Sequence, residues 1–315
     1  MMPSYLSVAE NISAIGFLLS TSFCLFVIFV TLCLIGESMG TYRYLIVLFQ
    51  ISGIIFSAFD AALHPTIHNY NDGFIVFTTS KDFKKETVDI LLAILSGMYY
   101  ANLCIIAIQF VYRYWGVFHV SKLRYFKSWR ILLWIGYIFV TFTANFFSIF
   151  YFAKIDKYSE NYFKDVLSAN YNLTISEISG YTLIIYDKYG NVRWFNLCYF
   201  INSAMIMVIQ YCIIIYTAYS LRKNMKIVMR NGSNSLQKMN RQVLKALIIQ
   251  TLTPTILFLA PIIISFLITF FHLDINVPSG IFACALSFYP AIDALILMFI
   301  VSVYRNVFRR IATWN

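Results

Sequence analysis

Charged residues are scarce in this chain: Asp, Glu, Lys and Arg together make up 12% of its 315 residues. Water-soluble domains average about a quarter. A globule with so little charge and 60% hydrophobic residues would expose more apolar surface than water tolerates, which excludes a soluble fold. Catalytic signatures are missing too. There is no HExxH, no GxSxG, no P-loop and no GxGxxG between a strand and a helix, so enzyme chemistry has no foothold and no cofactor is implied. None of the six cysteines (Cys24, Cys33, Cys104, Cys198, Cys212, Cys284) falls outside an apolar block, which argues against a disulfide framework or a CxxC metal site. Internal repeats and low-complexity tails are also absent. The net charge of +10 does not indicate nucleic acid, because the basic residues sit in short segments between apolar blocks.

What is present is a set of long apolar blocks rich in Phe (30) and Tyr (23). A hydrocarbon slab roughly 30 Å thick needs about 20 apolar helical residues to cross it. Seven blocks qualify, at residues 12–35, 43–63, 88–112, 130–152, 195–219, 243–271 and 279–304. Open strands of that length would leave their backbone amides unpaired in lipid, so each block is expected to be a helix. The expectation is an all-α membrane protein: one seven-transmembrane domain over residues 1–315. The first block lacks a basic leader and is too long for a signal sequence, so it is taken as a retained helix.

Orientation follows from the flanks. With the N-terminus outside the cell and the C-terminus in the cytoplasm, the cytoplasmic side carries 16 Lys and Arg and the outer side 8. That is the bias expected of a membrane protein. Two sequons, at Asn11 and Asn172, then fall outside as glycosylation candidates, whereas Asn231 falls inside. Residues 64–87 and 153–194 form long outer loops, the second long enough to fold over the mouth of a bundle.

Several motifs invite roles. The third block ends in Tyr112-Arg113-Tyr114-Trp115, where an arginine either snorkels to headgroups or points toward a partner protein. No acid precedes Arg113. The sixth block holds Pro254 and Pro261, seven residues apart on nearly one face, as suits a helix that swings; ordinary packing prolines are the plainer alternative. The seventh holds Tyr289-Pro290-Ala291-Ile292-Asp293 and then Tyr304-Arg305. An ionised carboxylate at mid-membrane costs roughly 2.5–3.5 kcal/mol, so Asp293 must face the bundle interior, be neutral or be paired. Asp60 sits about 10 Å above that level at 1.5 Å per residue, so direct contact between the two acids is not expected. Asp60, His64 and His68 have i, i+4, i+8 spacing, but Pro65 breaks the register, and no metal site is expected. Met98, Tyr99, Tyr100, Asn102, Tyr199, Asn202, Phe288 and Tyr289 fall in the outer halves of helices three, five and seven. They suit an apolar, aromatic cavity for a small uncharged ligand, although any one of them also reads as helix packing.

Taken together these motifs resemble the nematode seven-transmembrane chemoreceptors of the Str class, the group that includes the diacetyl receptor. The likeness rests on His64-Pro65-Thr66-Ile67-His68, on Phe110 through Trp115, on Leu236-Gln237-Lys238 and Lys245 through Thr251 to Pro254 and Pro261, and on Tyr289 through Asp293 with Tyr304-Arg305. It extends over about three quarters of the chain. It implies a G-protein-coupled chemosensory receptor that takes a small odorant and activates a heterotrimeric G protein through its alpha subunit, on the plasma membrane of a sensory cilium. Members usually carry proline after the helix-seven aspartate, where this chain has Ala294. By the same resemblance Tyr112, Arg113, Tyr114, Pro254, Pro261, Pro290, Asp293, Tyr304 and Arg305 are candidates for coupling and switching. The alternative is a transporter or ligand-gated channel with Asp60 and Asp293 on an ion path, which ligand-evoked current in cells without functional G proteins would favour.

An epitope tag inserted in residues 222–241 is expected to be reached by antibody only after cells are permeabilised. Labelling of intact cells would invert the topology.

Overall fold

The computed structural model describes residues 4–34, 40–71, 73–80, 84–223, 234–256, 263–264, 267, 276–278 and 286–312. The chain forms a bundle of seven membrane helices. Its described helices are α1 (Ser4–Phe29, continued by a π-helical turn over Val30–Leu34), α2 (Tyr42–Leu63), α3 (Lys85–Phe118) and α4 (Leu132–Phe152), then the short α5 (Lys157–Tyr171). They are followed by α6 (Trp194–Lys223), α7 (Asn234–Pro254), α8 (Tyr289–Ile300) and α9 (Ser302–Ala312). Blocks one to four correspond to α1–α4, block five to α6, block six to α7 and block seven to α8. Pro261, His272, Cys284, the sequon at Asn231 and the basic stretch 224–233 lie outside the described residues.

Burial is inverted relative to a soluble protein. In α3, 72% of the most apolar window is buried, against 17% for the span containing α4 and 22% for α6. At 1.5 Å per residue the 34 residues of α3 measure about 51 Å, longer than the hydrocarbon is thick. It packs against α2, α4, α6 and α7 and forms the central column. The peripheral helices present Leu18, Leu25 and Phe29 (α1), Phe139 and Val140 (α4), and Met205, Val208 and Ile215 (α6) outward. Side chains this apolar face out stably only into lipid.

The two long loops, for which no regular structure was expected, build a lid on one end of the bundle. Strands β1 (Thr66–Tyr70), β2 (Gly73–Thr78), β3 (Ser179–Ile184) and β4 (Asn276–Pro278) pair antiparallel in the order β3-β2-β1-β4. The hairpin turns at Asn71, whose φ of 43° is a conformation asparagine tolerates better than most residues. Against the sheet lies α5, opened by a capping box in which Asp156 accepts from the Ser159 amide (2.9 Å) and the Ser159 hydroxyl accepts from the Asp156 amide (2.8 Å). Phe163, Leu167 and Tyr171 of α5 join Ile75, Phe77 and Ile184 in a core of their own. His68, which shared the metal-like spacing, instead places Nδ1 3.0 Å from the Tyr171 hydroxyl. Partial burial pushes the Asp156 pKa up, but bonds from Ser159 and the Arg193 guanidinium at 2.6 Å outweigh it, leaving its carboxyl below the ordinary range.

The lid is fastened to the bundle by a few buried bonds. Asn196 at the start of α6 donates to the carbonyl of Phe152 (2.8 Å) and accepts from the Ile184 amide (3.3 Å). The Tyr181 hydroxyl donates to the Asp89 carbonyl on α3 at 2.6 Å.

The seventh block was expected to remain helical to Tyr304. The structure ends the helix at Ile300: Val301 is extended, and α9 leaves α8 at 92°. Gln242 of α7 supplies the reason, because its Oε1 accepts from both the Ser302 amide (2.9 Å) and the Ser302 hydroxyl (2.8 Å), capping the start of α9. Tyr304 is therefore turned back into the bundle, fully buried, with its hydroxyl 2.8 Å from Thr31 Oγ1.

Strand β3 has no room for a side chain at Gly180, where a Cβ would strike the Val76 carbonyl oxygen and lie 2.9 Å from Phe77 Cα. Gly180→Ala should cost about 1–3 kcal/mol through overpacking. Gly116→Ala on α3, which meets nothing within 4 Å, should cost nothing. Thermal unfolding of the two purified variants checks this; equal midpoints would mean that the β2–β3 contact is not as tight as described.

Candidate functional site

Three groups of predicted residues occupy three levels of the bundle. Nearest the lid, residues proposed for ligand contact are divided between two surroundings. Tyr100, Tyr199 and Asn202 belong to a polar seam between α3, α4 and α6, centred on the fully buried Asn145. Ser96 donates to Asn145 Oδ1 (2.8 Å), Asn145 Nδ2 donates to the Ser203 hydroxyl (3.2 Å), and Asn202 Nδ2 donates to the Ala144 carbonyl (3.3 Å). The Tyr100 and Tyr199 side chains approach Ser203 in the same seam. These groups are used up in holding helices together. Met98 is half-buried against the core, and Tyr99 packs edge-on to Tyr100 at 5.2 Å.

Tyr99, Asn102 and Tyr289 are instead buried in the bundle core, and Phe288 is partly buried just before α8. Tyr289 is buried and edge-on to Phe56 at 6.2 Å. Below it is a small cavity of about 10 Å³, lined by Gln50, Gly53, Asn102, Tyr289, Pro290 and Asp293, large enough for a single water-sized occupant. Pro290 is in the first turn of α8, where its missing N–H leaves nothing unsatisfied, so it starts the helix and does not kink it. Pro254 closes α7. Pro254 has no N–H to give the Gln250 carbonyl, and the Gln250 side chain reaches across to donate to the Asp293 carbonyl at 3.2 Å. Thr251, Thr253 and Thr255 return their hydroxyls to carbonyls one turn back, a pattern that accompanies bent helices. Asp60 is in separate surroundings: its carboxyl accepts from the Ser287 hydroxyl, which is itself 3.1 Å from Ser13. No residue of that cluster lines the Asp293 cavity.

At the end away from the lid, the Arg113 guanidinium carbon sits 3.7 Å over the Tyr42 ring. The Tyr42 hydroxyl donates to Gln109 Oε1 at 3.0 Å, holding the ring in place. Tyr112, Trp115, Phe126 and Trp134 surround this pair in a tight aromatic group, with Phe126 stacked on Trp134 at 4.6 Å. Tyr114 faces Tyr216 of α6 at 5.9 Å. Arg305 donates to the Phe299 carbonyl at 3.3 Å, where α8 gives way to α9. Sequence reasoning missed Tyr42, Gln109 and Gln242; apolar blocks hide such partners because nothing in a linear pattern says which face meets which. Of the sequons, Asn172 is exposed in a left-handed cap at the end of α5, whereas Asn11 lies within α1 with its Ser13 buried.

Comparison with known proteins bears on this arrangement. The family described as serpentine type 7TM GPCR chemoreceptor Str matches residues 9–309. A Caenorhabditis elegans protein named G-protein coupled receptor str-33 is 32% identical over 84% of this chain and 79% of its own length. Serpentine receptor class r-10 of the same organism is 29% identical over 86% and 81%. Squid rhodopsin superposes with a TM-score of 0.63 over 99% of this chain and 86% of its own, at 11% identity, a likeness of fold alone.

Asn145→Ala removes two bonds that join three helices, and should lower stability by about 1–2 kcal/mol. Denaturation of the variant in detergent measures the loss. A change below the noise would mean that the seam contributes no net stability.

Proposed function

The chain belongs to the Str family of serpentine seven-transmembrane G-protein-coupled chemoreceptors, and from that membership we propose that it detects a small, uncharged odorant and signals to a heterotrimeric G protein. The lid faces the outside of the cell and the Arg113 end faces the cytoplasm. Supporting this orientation are the 16 to 8 distribution of basic residues and the exposed position of the sequon at Asn172. The odorant occupies the half of the bundle under the lid and contacts Met98, Tyr99, Asn102, Phe288 and Tyr289. Tyr100, Tyr199 and Asn202 shape that space from behind. A receptor of this kind sits in the plasma membrane of a sensory cilium.

The observation that carries the mechanism is the clamp of Arg113 on Tyr42. A cation over an aromatic face is worth about 0.5–2 kcal/mol. That is enough to bias a two-state equilibrium several-fold, and a ligand can shift it only through unequal affinity for the two states. The clamp holds the resting state, and odorant favours a state in which helix six moves about Pro254 and Pro261. Arg113 is then released toward a Gα subunit docked between residues 222–241, Tyr304, Arg305 and α9. Gln250 links that motion to Asp293, one helical turn from the ligand-facing Tyr289.

In a cell carrying a calcium or cyclic-nucleotide reporter, Tyr42→Leu should raise ligand-independent signalling about 2- to 10-fold, by loss of the clamp. Arg113→Ala should abolish the response while surface expression is kept. Normal signalling by Arg113→Ala would remove that residue from coupling. An unchanged basal level in Tyr42→Leu would remove the clamp from the resting state.

A further inference from the structure

A cavity of about 390 Å³ opens where the lid meets the bundle, within the roughly 300–1,000 Å³ usual for small-molecule sites. Its walls include Tyr151, Lys154, Asp156, Arg193, Trp194 and Phe195. Because α4 ends at Phe152 and α6 begins at Trp194, the cavity lies where two membrane spans leave the hydrocarbon. Tyr151, Trp194 and Phe195 are 64%, 70% and 71% exposed there, as suits rings at the level of lipid headgroups. Arg193 is fixed from three sides. Its amide donates to the Ile185 carbonyl (2.8 Å), its guanidinium carbon lies 4.7 Å from the Tyr158 ring centre, and Nη2 donates to Asp156 at 2.6 Å. The other terminal nitrogen, Nη1, is buried and meets no acceptor among the described residues. Buried guanidinium N–H groups ordinarily have acceptors, so this one indicates an acceptor supplied by a ligand.

We propose that this cavity holds the headgroup of a phosphatidylcholine from the leaflet on the lid side. Its phosphate binds Arg193 and Lys154, and its choline sits among Asp156, Tyr151 and Trp194. Guanidinium and ammonium groups are the usual partners of phosphate oxygens. A quaternary ammonium has no N–H to donate and is recognised instead by aromatic faces and by negative charge. The Asp156 side chain supplies that charge, since it stays 53% exposed beside its bond to Arg193. Both signs of charge and three rings therefore match one zwitterionic headgroup. A serine headgroup would bring a carboxylate against Asp156. An ethanolamine headgroup carries a primary ammonium, which holds its water strongly and gains less from ring faces. The acyl chains have a path as well. Phe147 stacks on Tyr151 at 6.1 Å, and Ile201 and Met205 follow Trp194 at helical spacing, all exposed to lipid. Which leaflet of the cell supplies the lipid follows from the orientation proposed above, but the site itself does not depend on it.

The test uses the purified full chain in maltoside detergent and needs neither odorant nor G protein, so it stands apart from the proposed signalling. Bound lipid is counted by native mass spectrometry as phosphatidylcholine, phosphatidylethanolamine or phosphatidylserine with identical acyl chains is added. The first phosphatidylcholine should bind about 3- to 10-fold more tightly than the first molecule of either other lipid. Trp194→Leu and Lys154→Gln, both at exposed side chains, should each weaken that first site about 3- to 10-fold and leave later lipids unaffected. Arg193→Gln should weaken it further; if that variant fails to fold, the two exposed substitutions decide the matter. Equal or tighter binding of either other lipid, or an unchanged first site in Trp194→Leu or Lys154→Gln, overturns the proposal. So does thermal protection by glycerophosphocholine equal to that by the lipid, since a soluble choline phosphodiester would then be the ligand.

Discussion

Hydrocarbon offers no hydrogen bonds, so every polar group that enters the bilayer must find its partner inside the protein. That constraint sorts the helices. Those with little polar content take the perimeter, where Phe139, Val140 and Ile215 meet lipid. The helix carrying Asn102, Gln109 and Arg113 becomes the central column. Thr31, Thr141 and Thr217 bond carbonyls of their own helices, and Asn145 satisfies two neighbours at once.

Outside the hydrocarbon, ordinary rules return. The lid has an antiparallel sheet, a capped amphipathic helix and an exposed ion pair between Arg193 and Asp156, as a small water-soluble domain would. Its own core of Ile75, Phe77, Phe163 and Leu167 is continuous with neither lipid nor the bundle interior. Strand β4 lies between α7 and α8 in the sequence and pairs with β1, so the lid also includes a segment of that connection.

The opposite end is held mainly by aromatic contact. Arg113 rests on Tyr42 with Tyr112, Phe126 and Trp115 close by, an arrangement that depends on ring faces and not on a carboxylate partner. Cation–π contacts of this kind are individually modest. Tyr304 and Gln242 bring α1, α7 and α9 into the same assembly.

Much of this was legible in the sequence. Apolar block length requires a helical membrane bundle, because lipid thickness and backbone satisfaction leave no other state. The family motifs, from His64-Pro65 to Tyr304-Arg305, agree with the match over residues 9–309. Pattern alone did not reveal which polar residues meet. Asn145 with Ser96 and Ser203, Tyr42 with Arg113, and Gln242 with Ser302 join residues 49, 58, 71 and 60 positions apart in sequence. Nor did it show that the loops pair as strands, or that the last helix turns at Val301. Hydropathy records how far a segment wants to be from water, and it carries no information about the direction each side chain faces. Direction is fixed only when the helices pack.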